Sequence, residues 1–491
     1  MRLSNLTPLN VFVRGYKSRT LSKRVAQPGK GKTVVAGRKP ARPSRFPPKS
    51  APAPTQPTTL DMGKFASLKG VPAVERKTHR NLLEKVTDFG QLRISSEIRD
   101  SMLGNLLKEA SVPTPVQKVA IKSLRAQRKN EFGFKSWLLA AETGSGKTLA
   151  YLLPILSQLS ESPQDVKEAP QVRSIVLVPT LELVSQVASQ ASAIAPNLRI
   201  LPVDVNSRAS RLAKRITKGA DLIIATPDKI NALAEHEPVL AERALADCRY
   251  VVVDEADSLM NESFSSTTLH VLKRCPQLID AIFVTATIPS HFDKVLREAF
   301  PETIRLVTPS IHRLPRHIEF RVIEVFRPPY RDNKELALQQ ALYSIYHDNA
   351  EPNLQKRVMV FVNKKASVKP LVNMLNSAGY PTVGLDGTLP PNERAELLEA
   401  FVNPPKERTS DKDKLHVMVA TDLVARGIDM KKIRNVILYD LPWSAADLLH
   451  RAGRTGRLNA GGRVLLFVSR TEAKGWVKGL EKIVKRGQAL A

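Results

Sequence analysis

A chain of 491 residues with 42% hydrophobic content has length enough for about three domains and apolar material enough for large cores, so it is globular over most of its length. Its formal net charge of +28, from 75 Lys and Arg against 47 Asp and Glu, makes an anionic polymer the default partner, with nucleic acid ahead of a membrane surface. Only Cys248 and Cys275 occur, which excludes a disulfide framework and a Cys-based zinc site, and no apolar run approaches the roughly 20 residues of a membrane span.

The charge is concentrated at the start. Residues 1–60 hold 13 of the Lys and Arg and no Asp or Glu. The stretch PARPSRFPPKSAPAPTQPTT (40–59) cannot bury enough apolar surface to order itself, so residues 1–60 are expected to form a disordered basic leader. The acid-free opening MRLSNLTPLNVFVRGYKSRTLSKR reads as a mitochondrial transit peptide, since a secretory signal would need a longer apolar centre than VFV. A basic nucleic-acid-binding or nuclear-import tail, with a nuclear or nucleolar location, is the alternative.

From about residue 81 short continuous apolar runs alternate with helical stretches. SWLLAA (136–141), SIVLVP (174–179), DLIIAT (221–226), YVVVDE (250–255) and DAIFVT (280–285) suit strands of a parallel sheet covered on both faces. A second series follows with IEFRVIEV (318–325), RVMVFV (357–362), LHVMVA (415–420), NVILYD (435–440) and RVLLFV (463–468). The pattern predicts two similar α/β domains in tandem, at 81–309 and 318–491. TPSIHRLPRH (308–317), with two prolines and polar residues, supplies a linker over 310–317. SESPQDVKEAPQ (160–171) and NPPKERTSDKDK (403–414) read as solvated loops.

Chemistry enters at the end of the first strand. In Ala141-Glu142-Thr143-Gly144-Ser145-Gly146-Lys147-Thr148, glycines open a tight turn and Lys147 begins an apolar-periodic helix. Backbone N–H groups and the helix N-terminus would then converge on a phosphate, with Lys147 reaching the β and γ phosphates and the Thr148 hydroxyl holding Mg²⁺. Ala141 stands where the general phosphate-loop pattern has Gly. A second strand, VVVD, runs from core residues straight into Asp254 and Glu255. Ends of parallel strands face the crevice where such sheets bind ligands, so Asp254 can hold the Mg²⁺ and Glu255 can orient and deprotonate an attacking water. Alone, such a pair is often a solvated turn; after a phosphate loop in the same domain it points to ATP hydrolysis.

At these residues the chain resembles the DEAD-box RNA helicases. Asp254-Glu255-Ala256-Asp257 is that family's signature, and other motifs stand in the expected order over roughly residues 85–480. The resemblance implies two tandem RecA-like P-loop domains. It implies that Gln117, in Pro113-Thr-Pro-Val-Gln117, contacts the adenine edge and that Phe89 stacks on the base. It implies that Thr285-Ala-Thr287 couples hydrolysis to RNA handling, with His450 connected to Asp257. In the second domain ATDLVARGID (420–429) and HRAGRTGR (450–457) are near-complete matches, implying arginine fingers at Arg454 and Arg457, and Gly427 and Asp429 at the nucleotide, Asp429 on the ribose. Arg451, Arg454 and Arg457, three apart with glycines between, form by themselves a compact cationic face able to clamp a phosphate developing charge. ATP and Mg²⁺ are the implied ligands.

RNA contacts implied by the resemblance are Pro179, Thr180, Thr226, Pro227, Arg394 and Thr421, which would hold sugar and phosphate and carry no sequence information. Several positions depart from the family pattern. Leu181 stands for Arg, Asp228-Lys229 for Gly-Arg, Asp386 for His and Ala110 for an aromatic, and no Gly-Gly pair follows the strand near Val203. With the acid-free leader, these departures are similar to the fungal mitochondrial DEAD-box helicases of large ribosomal subunit assembly. The implied setting is the mitochondrial matrix, with large-subunit ribosomal RNA in an assembling ribosome as partner, no membrane and a monomeric chain. An ATP-gated RNA clamp or assembly scaffold with little unwinding is the alternative.

Overall fold

The computed structural model describes residues 85–490 except 108–111, 127–132, 163–170, 205–206, 353, 404, 406, 408–414, 423–429, 431–432, 457–459 and 475. The basic leader, Ala110, Gly427, Asp429, Arg457 and most of the two solvated loops lie outside the described residues.

The described strands form two parallel sheets. The first has the order β3-β4-β2-β5-β6-β1-β7. Its strands are β1 Lys135–Ala140, β2 Val172–Leu177, β3 Ile200–Pro202, β4 Ala220–Ala225, β5 Tyr250–Val253, β6 Asp280–Thr285 and β7 Ile304–Val307. The second, β10-β11-β9-β12-β13-β8, is built from β8 Ile318–Glu324, β9 Lys356–Phe361, β10 Thr382–Leu385, β11 Leu415–Ala420, β12 Asn435–Leu438 and β13 Gly462–Val468.

The apolar runs explain why these segments are interior strands. Every residue of β2, β4, β6 and β9 is buried, as a strand with helices on both faces requires. Two apolar layers sandwich each sheet. In the first domain one contains Leu139, Val176, Val252 and Ile282, and the other contains Leu138, Ile175, Val251 and Phe283. Each fully buried Val, Leu, Ile or Phe contributes roughly 1.5–3 kcal/mol, so these runs dominate the stability of the scaffold.

β3, β7 and β10 were not legible as strands. All three are edge strands of only three or four residues, and β3 ends in Pro202 while β10 contains Gly384. An edge strand pairs on one side only and needs no continuous apolar run. The linker is also more ordered than its polar sequence suggests. Ile311, His312 and Leu314 are buried. The His312 ring Nε2 accepts the Ile288 N–H at 2.9 Å, and the His312 carbonyl accepts the Leu490 N–H at 2.9 Å. It is thus a packed strap tied to the loop after β6 and to the C-terminal end of the chain.

Because the sheets are parallel, all their carboxyl ends lie along one edge. In the first sheet that edge carries the phosphate loop after β1, Pro179 and Thr180 after β2, Thr226 after β4, Asp254 after β5 and the Thr285–Thr287 turn after β6. In the second it carries Thr421 after β11 and, beyond β12, the Ala445–Ala452 helix with His450.

Candidate active site and nucleic-acid face

The phosphate loop is shaped by its neighbours. Gly146 sits at φ 86, a left-handed conformation that glycine adopts without a Cβ penalty. A Cβ there would also meet the Gln117 side-chain nitrogen at 2.4 Å. Gln117 Nε2 donates to the Gly146 carbonyl at 3.2 Å, and its Oε1 accepts the Thr114 N–H at 2.8 Å. The Gln117 amide therefore braces the loop and the start of its own helix together. Lys147 donates to the carbonyls of Ala141 and Glu142 at 3.0 and 3.1 Å. Burial holds its ammonium below the ordinary lysine range, against the opposing charges of Glu255 and Asp254. Glu142 accepts the hydroxyls of Thr308 and Ser310 at 3.0 and 2.6 Å, which fastens the loop to the strap between the domains.

The two adjacent acids are pulled apart by backbone geometry. Asp254 is still held by the sheet, its N–H donating to the Leu177 carbonyl at 2.9 Å. Glu255 then turns at φ 49, ψ 49, an unusual conformation for a residue with a side chain and one that recurs at functional sites. The Asp254 carboxylate accepts the Tyr151 hydroxyl and the Glu255 N–H, each at 2.9 Å. Burial, with Glu255 beside it, pushes the Asp254 carboxyl up to about 6, against those hydrogen bonds and the charge of Lys147. Glu255 Oε2 and Ser145 Oγ are buried without a hydrogen-bond partner. Unpartnered buried oxygens beside a lysine and the oxygen donors Thr148 and Asp254 suit a Mg²⁺-bound polyphosphate, whose hard cation takes oxygen ligands.

The second domain completes this cluster. His450 Nε2 lies 2.8 Å from Asp257 Oδ2 and 3.4 Å from Thr287 Oγ1, while Thr287 Oγ1 donates to Asp257 Oδ2. The Thr285 hydroxyl donates to the Thr287 carbonyl at 2.7 Å, closing the turn that presents Thr287. His450 Nδ1 stands 4.0 Å from Glu255 Oε2. Gly453 is required by close approach, since a Cβ there would meet Thr143 Oγ1 of the phosphate loop at 2.0 Å. The following Arg454 is buried, its Nε donating to the His450 carbonyl at 3.2 Å. Arg451 faces the interior instead. It pairs with Asp422 at 2.6 Å and reaches Asn363 at 2.7 Å, so its guanidinium is engaged within the second domain.

Phe89 requires a correction. Its ring is 1% exposed inside the apolar core, so in this geometry it packs the first domain and offers no face to a base. Tyr151, one turn after Lys147 on the same helix, was missed; its apolar surroundings make it read as core, and only the fold brings its hydroxyl to Asp254.

On the other side of the cleft, Thr180 and Thr226 cap the helices Leu181–Ile194 and Pro227–His236, with Pro179 and Pro227 flanking them. The hydroxyl of Thr421 is buried without a partner. Arg394 Nε lies 2.9 Å from Glu182 Oε1 across the domains, a charge-pair distance although the N–H is not aligned on the oxygen. Asp386 accepts the Thr388 N–H at 2.7 Å and so serves its own turn.

Two parallel-sheet domains, with the Ala141–Thr148 loop of the first closely approached by Gly453 of the second, have the architecture of a tandem P-loop ATPase. The family model for DEAD/DEAH box helicases matches residues 114–295, and that for the helicase conserved C-terminal domain matches residues 336–459. The "ATP-dependent RNA helicase MRH4, mitochondrial" of Candida glabrata is 36% identical, covering 87% of this chain and 84% of its own. The protein of that name from Debaryomyces hansenii is 33% identical over 98% and 96%. The chain belongs to the DEAD-box ATP-dependent RNA helicases, an enzyme family. The fold is similar to that of Saccharomyces cerevisiae Dbp5 bound to RNA and ADP BeF3, with a TM-score of 0.64 at 20% identity over 81% of this chain and 93% of that one. It is also similar to the DEAD-box helicase Mss116 bound to ssRNA and UDP-BeF, with a TM-score of 0.63 at 21% identity over 83% and 78%.

Proposed function

We propose that this chain binds ATP with Mg²⁺ and hydrolyses it to remodel or locally unwind RNA, and that its RNA is the large-subunit ribosomal RNA of an assembling mitochondrial ribosome in the matrix. The observation that carries the enzymatic reading is the convergence of Lys147, Asp254 and Glu255 from one sheet with His450 and Arg454 from the other, joined by the 2.8 Å contact of His450 with Asp257. The mitochondrial setting is supported by the names of the curated relatives and by the acid-free leader.

In this reading the loop N–H groups and Lys147 cradle the terminal phosphates, and Gln117 reads the base edge. Thr148 and Asp254 would hold Mg²⁺, which supplies charge neutralisation between those phosphates. Glu255 orients the attacking water and takes its proton as the new P–O bond forms and the bond to ADP breaks. Arg454, with Arg457, stabilises the charge that develops on the transferred group. Gly427 and Asp429 line the sugar. Asp257, Thr287 and His450 form a polar bridge that exists only when the domains are together, so hydrolysis and the grip on RNA are linked. Pro179, Thr180, Thr226, Pro227 and Thr421 hold the strand. The chain works as a monomer.

A second reading, an ATP-gated clamp with little unwinding, is favoured by Arg394, whose charge is engaged by Glu182 across the domains instead of standing free on the RNA side. ATP turnover with and without structured RNA, beside a matched DNA control and a short-duplex separation assay, distinguishes them. Turnover stimulated by RNA alone with strand separation supports the helicase; stimulation without separation supports the clamp; absence of turnover with ATP and RNA overturns both. Crosslinking to RNA in isolated mitochondria tests the ribosomal target, and recovery of other transcripts in place of large-subunit ribosomal RNA would sink it.

A further inference from the structure

We propose that the Ala209–Ile216 helix of the first domain is a second RNA-binding element, which grips phosphates of RNA flanking the strand held between the domains. The proposal rests on the RNA-handling reading above and extends it to a surface outside the motifs.

The helix is sharply two-sided. Leu212, Ala213 and Ile216 are buried against the first sheet, while Arg208, Arg211, Lys214 and Lys218 are exposed. From Ser207 to Ala220 the sequence contains five cations, with Arg215, and no Asp or Glu. Positions 208, 211, 214 and 218 recur every three or four residues and so share the exposed face opposite Leu212, Ala213 and Ile216. At about 1.5 Å per residue the helix itself runs roughly 12 Å, with Arg208 and Lys218 just beyond its two ends, long enough to follow a short run of backbone phosphates. Arg215 donates to the Pro202 carbonyl at 3.1 Å and braces the helix to β3, so it is left out of the contact set. Arg199, whose guanidinium donates to the Lys218 carbonyl, lies 3.7 Å from Asp221 and is likewise left out of the contact set.

The row begins in the right place. Arg208 caps the helix that follows β3, and the order β3-β4-β2 sets it on the same sheet edge as Thr226 after β4 and Thr180 after β2. A strand crossing Thr180 and Thr226 and continuing outward therefore meets Arg208 next. Neighbouring carboxylates do not offset the row as a whole. Asp204 accepts the Ser207 hydroxyl at 2.7 Å, and Asp221 pairs with Arg173 at 3.0 Å. Asp228 and Glu235 lie on the adjacent Pro227–His236 helix.

The chemistry of the face selects nucleic acid. The exposed positions between the cations are Ser210 and Thr217, which are small and polar. A protein partner or a stably inserted membrane helix draws on apolar contact, whereas a phosphate backbone needs only regularly placed cations. The position also fits a compensation. Leu181 takes a positive charge from the RNA-side loops and Asp228 adds a negative one, and the helix supplies cations one strand further out.

The test uses the full chain with a non-hydrolysable ATP analogue and two oligouridines, one of about 10 nucleotides that fits the central face and one of about 30 that extends beyond it. Arg208, Arg211, Lys214 and Lys218 are changed together to Gln, and in a second variant the charges are kept by exchanging Arg and Lys. The Gln variant is expected to bind the long RNA roughly tenfold more weakly. Its plot of log affinity against log salt should be shallower by about 1.5–3, from about 0.7 per lost contact, while the short RNA stays within about twofold of wild type. The charge-conserving variant should bind both RNAs as wild type does. Unchanged long-RNA affinity and salt slope, equal losses on both lengths, or loss in the charge-conserving variant would each overturn the proposal. Failure of the unaltered protein to bind either RNA would instead overturn the RNA-handling reading on which it rests.

Discussion

The two sides of the cleft are built differently. On the ATP side Thr287, His450 and Arg454 are buried and, with Asp257, bonded to one another, partly across the domain boundary, while the buried Asp254 is bonded to Tyr151. On the RNA side Thr180, Thr226 and Leu181 are only half-buried, at helix starts, and Arg394 contacts Glu182 through a single charge pair. Buried polar networks tolerate little change because each unpaired member carries its full desolvation cost. Helix starts at a surface tolerate substitution, and Leu181 and Asp228-Lys229 depart from the family pattern there.

The largest effect is expected from Glu255→Gln. Turnover should drop by about 100- to 10,000-fold, as loss of a general base does, while ATP and RNA are still held in the closed form. Single-turnover hydrolysis measures it, and near-normal turnover would remove Glu255 from the base role. Next comes Tyr151→Phe, which strips a donor from Asp254. A buried acceptor left short of one partner costs about 1–3 kcal/mol, so binding of ATP with Mg²⁺ should weaken roughly tenfold. The sign of the pH effect follows. The Asp254 carboxyl, already raised to about 6, loses a bond that favours its charged form. Binding in the unaltered protein should fall as pH drops through about 6, and in the variant that fall should begin at higher pH; coincident profiles would refute the link.

A smaller change is expected at the interdomain pair. Glu182→Arg or Arg394→Glu should each weaken ATP-dependent RNA binding by roughly three- to tenfold, and combining them should recover most of the loss, since contacting charges couple. No recovery in the double variant would show that Arg394 acts on RNA directly. The smallest is Leu181→Arg, which should raise RNA affinity a few-fold and steepen the salt dependence by about 0.7, one added phosphate contact. If it does neither, the RNA side lacks the site its position suggests.

Interior strands and motif order were legible because burial on both faces demands continuous apolar runs, and because a phosphate loop needs its glycines and lysine at set spacing. The Ala141–Thr148 loop, Asp254 and the ten strands other than β3, β7 and β10 therefore stood out by local pattern alone. What no local pattern carried was partnership between segments far apart in the chain. Tyr151 looked like core until the sheet set its hydroxyl against Asp254, and Phe89 looked like a base-stacking ring until the fold buried it. The 310–317 segment read as a linker, and only the fold bonds its His312 to Ile288; Arg394 read as an RNA contact, and only the fold sets Glu182 opposite it. Composition, period and spacing are properties of neighbours along the chain. A hydrogen bond between helix and strand, or a charge pair between two domains, depends on how sheets and helices pack, and that the tertiary structure alone decided.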